Sequence, residues 1–163
     1  MDSSNVSCKI KKASEKDIEV ILELVESTWP EGFAGFMERE YGPINGRPWR
    51  QWTAKDVKRY FRNNPDSVFV TEIEGNIAGF FSYSLDYEKK VGEVGYNMVV
   101  PEYRGQGIGS FQIKELLQML RDRGMRYAKV ITGLNDAHKP ARKLYERAGF
   151  KEGHRSVQYG MEL

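Results

Sequence analysis

Apolar residues along the chain change period several times, and each change marks an element. Val6, Cys8 and Ile10 alternate with polar neighbours, the two-residue period of a half-buried strand. Ser14 with Asp17 reads as a capping box, and Ile18, Ile21, Leu22 and Val25 follow at helical spacing. Thr53 with Asp56 repeats the start signal ahead of Val57, Tyr60 and Phe61, predicting a second helix closed by Pro65. From Trp29 to Trp52 the chain is rich in Gly, Pro and aromatics. Phe33, Phe36 and Met37 suggest one short helix there, and the rest reads as loop. "SVFVTEI" and "IAGFFSYSL", joined by "EGN", predict a β-hairpin, and "EVGYNMVV" predicts a further strand ended by Pro101. Ile113, Leu116, Leu117 and Leu120 make a helical stripe, with Gly124 in the C-cap position. "YAKVITGL" reads as a strand, and "PARKLYERA" as a helix with Pro140 in its first turn and Gly149 just past its end. Val157, Tyr159, Met161 and Leu163 alternate as in a closing strand.

The predicted order is β, α, α, β, β, β, α, β, α, β, with hairpin strands first and βαβ-like crossovers later. It implies an α+β fold, a mixed sheet with helices on both faces.

Composition narrows the class without choosing a function. A chain of 163 residues with no internal repeat or linker composition reads as one domain, 1–163. Hydrophobic content of 40% and charged content of 29% are those of a soluble globular protein. A formal charge of +2, with both signs interspersed, argues against nucleic acid or an anionic membrane as partner. The lone Cys8 excludes an internal disulfide framework. No run approaches the roughly 20 apolar residues of a membrane helix, and "MDSSNVSCKI" lacks the features of a signal peptide. A cytoplasmic location is the expectation.

The segment that carries chemistry is "YRGQGIGS", Tyr103 to Ser110. Gly105, Gly107 and Gly109 follow a strand and open a helix, where unpaired N–H groups and the helix dipole favour an anion. The dinucleotide pattern wants G-x-G-x-x-G and an acid about 20 residues on, and a P-loop ends in Gly-Lys-Ser/Thr. Neither is present. A plain strand-to-helix turn remains as the alternative.

The flanks add a resemblance. "VVPEYRGQGIGS" is similar to the acetyl-CoA loop of the GNAT N-acetyltransferase superfamily, Arg/Gln-x-x-Gly-x-Gly/Ala, with Arg104, Gly107 and Gly109 in its slots. "ARKLYERAGF", Ala141 to Phe150, resembles the second signature of that family, one helix and one strand later. The resemblance is sharp from Glu93 to Phe150 and follows element order over residues 6–163. It implies a three-layer α/β/α fold with a mostly antiparallel sheet that splays between its fourth and fifth strands.

It also implies acetyl-CoA as co-substrate, with no metal. The pyrophosphate would rest on the backbone of Arg104, Gly105, Gln106, Gly107, Ile108, Gly109 and Ser110, and the pantetheine arm along Met98, Val99 and Val100. Tyr145 stands where the family places the proton donor for the leaving thiolate, and Glu93 is the candidate base. Asn97, two pleats along and on the face of Glu93, would hold a water or the acceptor. The family's cofactor-contacting asparagine falls at His138, with Asn135 three residues earlier, so either takes that contact.

The acceptor would be a small-molecule or peptide amine, shaped by Trp29–Trp52. There Glu31, Glu38 or Glu40 would attract a cation, while Arg39, Arg47 and Arg50 equally suit an acid. The competing reading is an acyl-CoA-binding sensor or interaction module. Since family members often dimerise, a homodimer is left open.

Overall fold

The alternation at Cys8 and Ile10 becomes strand β1 (Cys8–Lys12) in the computed structural model, which describes residues 8–163. Val6 lies outside the described residues. Helix α1 (Glu15–Thr28) opens on the predicted capping box. The Asp17 amide donates to Ser14 Oγ at 3.3 Å and the Ser14 amide donates to Asp17 Oδ2 at 2.8 Å. The segment read mostly as loop is largely helical. Helix α2 spans Phe33–Tyr41, and α3 spans Trp49–Asn63.

The α3 start is therefore a correction. Helix begins four residues before Thr53, because Pro48 takes the N-cap with φ −58° and the Glu38 carboxylate accepts from the Trp49 amide. Thr53 Oγ1 turns back to the Trp49 carbonyl at 3.1 Å and caps nothing.

Strands β2 (Val68–Ile73), β3 (Asn76–Asp86) and β4 (Val91–Val99) form an antiparallel meander with β1, and Glu74-Gly75 turns the β2–β3 hairpin. A 3-10 turn at Pro101–Tyr103 leads to the glycine loop and α4 (Ile108–Asp122). Strand β5 (Tyr127–Val130) returns parallel to β4, and α5 (Lys139–Arg147) follows. The sheet order is β1-β2-β3-β4-β5.

Two cores lie on opposite faces of this sheet. On one, Ile21 and Val25 of α1 and Val57 and Phe61 of α3 cover Val68, Val70, Phe80 and Met98. On the other, Ile113, Leu116 and Leu120 of α4 and Tyr145 of α5 cover Phe81, Tyr83 and Val94. The α/β/α layering stands as expected from the hydrophobic pattern.

The predicted closing strand does not form within one copy. Residues 150–163 take no regular structure, and Val157, Tyr159, Met161 and Leu163 are 70–109% exposed. Their alternation matches a strand, but no neighbour supplies the ladder that a strand needs.

Candidate active site

The site forms where β4 and β5 part. They pair only from Val91↔Tyr127 to Val94↔Val130, and beyond Val94 the remainder of β4 has β3 alone as neighbour. Val130 ends β5, and Ile131 to Gly133 continue without ladder. On the β3 side the Val100 amide donates to the Ala78 carbonyl at 2.9 Å. By strand alternation the backbone of Val99 then faces the open edge, while Met98 and Val100 face β3. Arg104 Nε holds the Val99 carbonyl at 3.0 Å, which ties the loop to the strand and leaves the Val99 amide free for a partner along the edge.

A bulge in β4 reorders its side chains. Opposite Phe81 and Tyr83, one residue apart on β3, stand Asn97 and Val94, two residues apart on β4, so Gly95-Tyr96 holds one residue too many. Side chains before and after the bulge consequently swap faces. Glu93 pairs with Ser84 on the α1/α3 face, whereas Asn97 pairs with Phe81 on the α4/α5 face. The expectation that Asn97 and Glu93 share a face is thus overturned. The signal for it was present: a glycine inside a strand marks a bulge or a close approach. A Cβ on Gly95 would collide with Tyr60 Oη and lie 2.7 Å from Ser82 Oγ.

On the α4/α5 face, Asn97 Nδ2 donates to Tyr145 Oη at 2.8 Å. Tyr145 is 7% exposed and packs edge-on against Phe150, with ring centroids 5.8 Å apart. Burial lifts its phenol above the ordinary value near 10, against the opposing pull of the Asn97 hydrogen bond. Because Asn97 donates, the Tyr145 proton is left to point elsewhere. The group is a hydrogen-bond donor across the physiological range.

On the opposite face, Glu93 Oε2 accepts from Lys129 Nζ at 3.1 Å across the β4–β5 junction. Tyr60 lies beside it. Burial raises this phenol, with Ser84 lowering and the Glu93 charge raising it further. Trp29, Tyr60 and Tyr96 stack edge to face, centroids 5.6 Å and 5.3 Å apart, forming an aromatic wall at the base of the splay. Trp29 also contacts Phe80, so it is core and wall at once. Sequence reading did not single out Tyr60 and Tyr96 for this place.

The glycine loop is bare. Gly105 and Gly107 have φ of +77° and +84°, and Gly107 is the N-cap of α4 with no side-chain cap. Among the described residues, none of the amides from Gly105 to Ser110 donates to a partner outside its element. No heavy atom lies within 4 Å of where a Gly107 Cβ would stand. A left-handed N-cap with open amides thus stands at the positive end of a 15-residue helix, an arrangement able to accept an anion.

Asn135 and His138 meet in the loop between β5 and α5. Asn135 Oδ1 faces His138 Nδ1, and Asn135 Nδ2 donates to the Glu31 carbonyl at 3.2 Å, which bridges this loop to the α1–α2 connection. Arg142 Nη1 holds the carbonyls of Gly133 and Asn135 at 2.6 Å and 3.0 Å. Burial, followed by the Arg142 charge, pushes the His138 imidazole below its usual value, so it is neutral at pH 7.

The charged candidates between α1 and α3 are mostly engaged. Glu31 and Glu40 pair with Arg39, and Glu38 takes the Trp49 amide. The guanidiniums of Arg47 and Arg50 lie over the rings of Trp52 and Trp49, at 4.9 Å and 4.4 Å.

The model of the acetyltransferase (GNAT) family covers residues 21–150, and the chain belongs to that family. Members of that family use acetyl-CoA as co-substrate. An uncharacterised N-acetyltransferase of Archaeoglobus fulgidus is 34% identical over 100 residues, 56% of this chain and 67% of its own length. A second, from Methanocaldococcus jannaschii, is 26% identical over 88% of this chain, which spans only 60% of that protein's length. Among solved structures, Ard1 from Thermoplasma volcanium superposes with a TM-score of 0.70 at 20% identity, covering 91% of this chain and 86% of its own. At that identity the likeness speaks for the fold.

Proposed function

We propose that this chain acts as one catalytic domain that transfers the acetyl group of acetyl-CoA to a primary amine by direct attack. The observation that carries the proposal is the juxtaposition at the splay. The open edge of β4 at Val99 leads by a short turn to the uncapped amides before α4, and Asn97 of the same strand holds the Tyr145 hydroxyl. The residues fit the co-substrate. The amides from Gly105 to Ser110 would hold the pyrophosphate, Val99 flanked by Met98 and Val100 would pair with the peptide-like arm, and Arg104 fixes the loop to that strand.

When bound, the thioester supplies an activated acyl carbon and a thiolate leaving group. The protein's contribution is positional and acid–base. Tyr145, uncharged and held by Asn97, delivers a proton to the departing sulfur. Glu93, on the other face, accepts the amine proton directly or through water. Opposite faces suit opposite tasks: the acid serves the thiol side and the base serves the amine side. Asn135 and His138 brace the loop against Glu31 rather than share a titration.

The amine attacks in its neutral form, with Glu93 taking its proton, and is small enough, or terminal enough, to approach Glu93 beside Tyr60. An acyl-CoA sensor would need the loop but not the acid. Thiol release from acetyl-CoA measured against a panel of small and peptide amines tests the reading. Turnover with at least one amine, abolished at least tenfold in Glu93→Gln, is the expected result. Binding of acetyl-CoA without acetyl transfer to any amine would support the sensor.

A further inference from the structure

Tyr60 carries a hydroxyl that packing does not explain. Its ring behaves as a core aromatic, edge to face on Tyr96 and Phe61 with centroids 5.3 Å and 6.4 Å apart. A phenylalanine would pack as well. Tyr60 Oη is nonetheless buried, and among the described residues it meets no hydrogen-bond partner. A hydroxyl in that state has lost its water without gaining a bond, which destabilises the fold unless the group has another use. The strand beneath makes room for it. A Cβ on Gly95 would collide with Tyr60 Oη, so β4 is bare where the hydroxyl lies against it.

The complementary group is Glu93. It stands on the same face of the sheet, opposite Ser84 of β3. Glu93 Oε2 accepts from Lys129 Nζ at 3.1 Å on the outer side, and among the described residues no donor reaches Oε1. A carboxylate with one oxygen held is therefore the neighbour of a buried donor with no acceptor. Burial lifts the Tyr60 phenol first, Ser84 draws it down, and the Glu93 charge lifts it again, so both neighbours are felt at Oη. Ser82, also close, commits its own proton to the Tyr96 carbonyl at 2.9 Å.

We infer that Tyr60 is a positioning residue for Glu93: its hydroxyl donates to the inner oxygen of the carboxylate, while Lys129 holds the outer one. A turn of the Glu93 side chain about its own torsions closes the contact, with Ser84 alongside as a second donor. For its consequence the inference rests on the acetyl-transfer reading, because a carboxylate held at both oxygens presents a fixed lone pair to the amine. No bond forms or breaks at Tyr60, and the amine proton ends on Glu93. The other ionisable groups facing the pair are Lys129 from β5 and Tyr96 from β4. Asp56 and Arg59 of α3 lie behind Tyr96 and pair with each other at 2.9 Å.

The test combines steady-state kinetics, a titration that needs no activity, and a control. Tyr60→Phe should lower kcat about tenfold by misplacing the base, with coenzyme A affinity unchanged and a urea midpoint equal or higher. In the Glu93→Gln background the same substitution should lower kcat no further, since the carboxylate through which it acts is gone. Tyr83→Phe removes the other buried hydroxyl without a partner and should leave kcat unchanged. The ring-carbon NMR signal of Tyr60 is followed against pH in the wild-type chain and in Glu93→Gln. Its midpoint should fall in the variant, because the anion that raises it has been removed. Full turnover in Tyr60→Phe, an equal loss in both backgrounds, an equal loss in Tyr83→Phe, or an unmoved Tyr60 midpoint overturns the inference. A wild-type chain that transfers acetyl to no amine sinks the acetyl-transfer reading alone, and the Tyr60 midpoint then decides the pairing by itself.

Discussion

At the scale of single residues, the proposed chemistry rests on placement rather than on unusual groups. Tyr145 is an ordinary phenol kept protonated by burial, and Asn97 aims it by donating to its oxygen. Tyr145→Phe keeps the ring's packing on Phe150 and removes the proton. We expect kcat to fall about 100-fold, within the usual range of general-acid contributions, with coenzyme A affinity unchanged within about twofold. Steady-state kinetics beside calorimetric binding separates the two. The sign of its pH behaviour follows from the raised value: the acid form persists beyond pH 10, so this group contributes no alkaline loss of rate below that. An alkaline limb at lower pH that vanishes in Tyr145→Phe would contradict the role.

At the scale of elements, two local devices decide the geometry. The capping box of α1 is one. Asp17 is buried, which raises its carboxyl, but hydrogen bonds from Ser14 and the charge of Lys11 outweigh that and hold it below the ordinary value. A depressed carboxylate contributes stability that is present above the unfolded value near 4 and lost as pH falls through the folded one. Ser14→Ala should cost about 1 kcal/mol in denaturant unfolding at neutral pH, and less in acid. An equal loss at pH 7 and pH 2 would contradict this account.

The bulge is the other device. Gly95 lets Tyr60 and Ser82 approach the backbone, so Gly95→Val should destabilise by several kcal/mol or force the strand back into regular alternation, carrying Asn97 away from Tyr145. Wild-type-like stability and turnover in that variant would contradict the close approach.

These two devices show what was legible beforehand. Ser14-Asp17 was readable because a capping box is local: two residues, three positions apart, carry both halves of the motif. The α3 start was not, because its cap comes from Glu38, eleven residues away, and the competing Thr53-Asp56 signal was equally well formed. The resemblance of the flanking motifs singled out the loop from Arg104 to Ser110, and Tyr145, beforehand. The pairing of Asn97 with Tyr145 was not, since one extra residue in β4 inverts every side chain beyond it. The tail shows the reverse: a pattern can be genuine strand patterning while one copy supplies no neighbour for it.

At the scale of the whole molecule, the sheet is a device for parting two strands. Its two cores grip β3 and β4 from both sides, through Met98 on one face and Val94 on the other, and the β4–β5 ladder ends at Val94↔Val130. The bare loop is the step on which all the proposed chemistry depends. The most direct measurement is calorimetric titration of coenzyme A into the wild-type chain and into Gly107→Val. A side chain at φ +84° strains the backbone by about 1–2 kcal/mol, and its Cβ would stand in open space beside the loop amides. The account predicts saturable binding, one coenzyme A per chain, weakened at least tenfold by the substitution in a protein that is still folded. Equal affinity in both, or no binding to the wild-type chain, would contradict it.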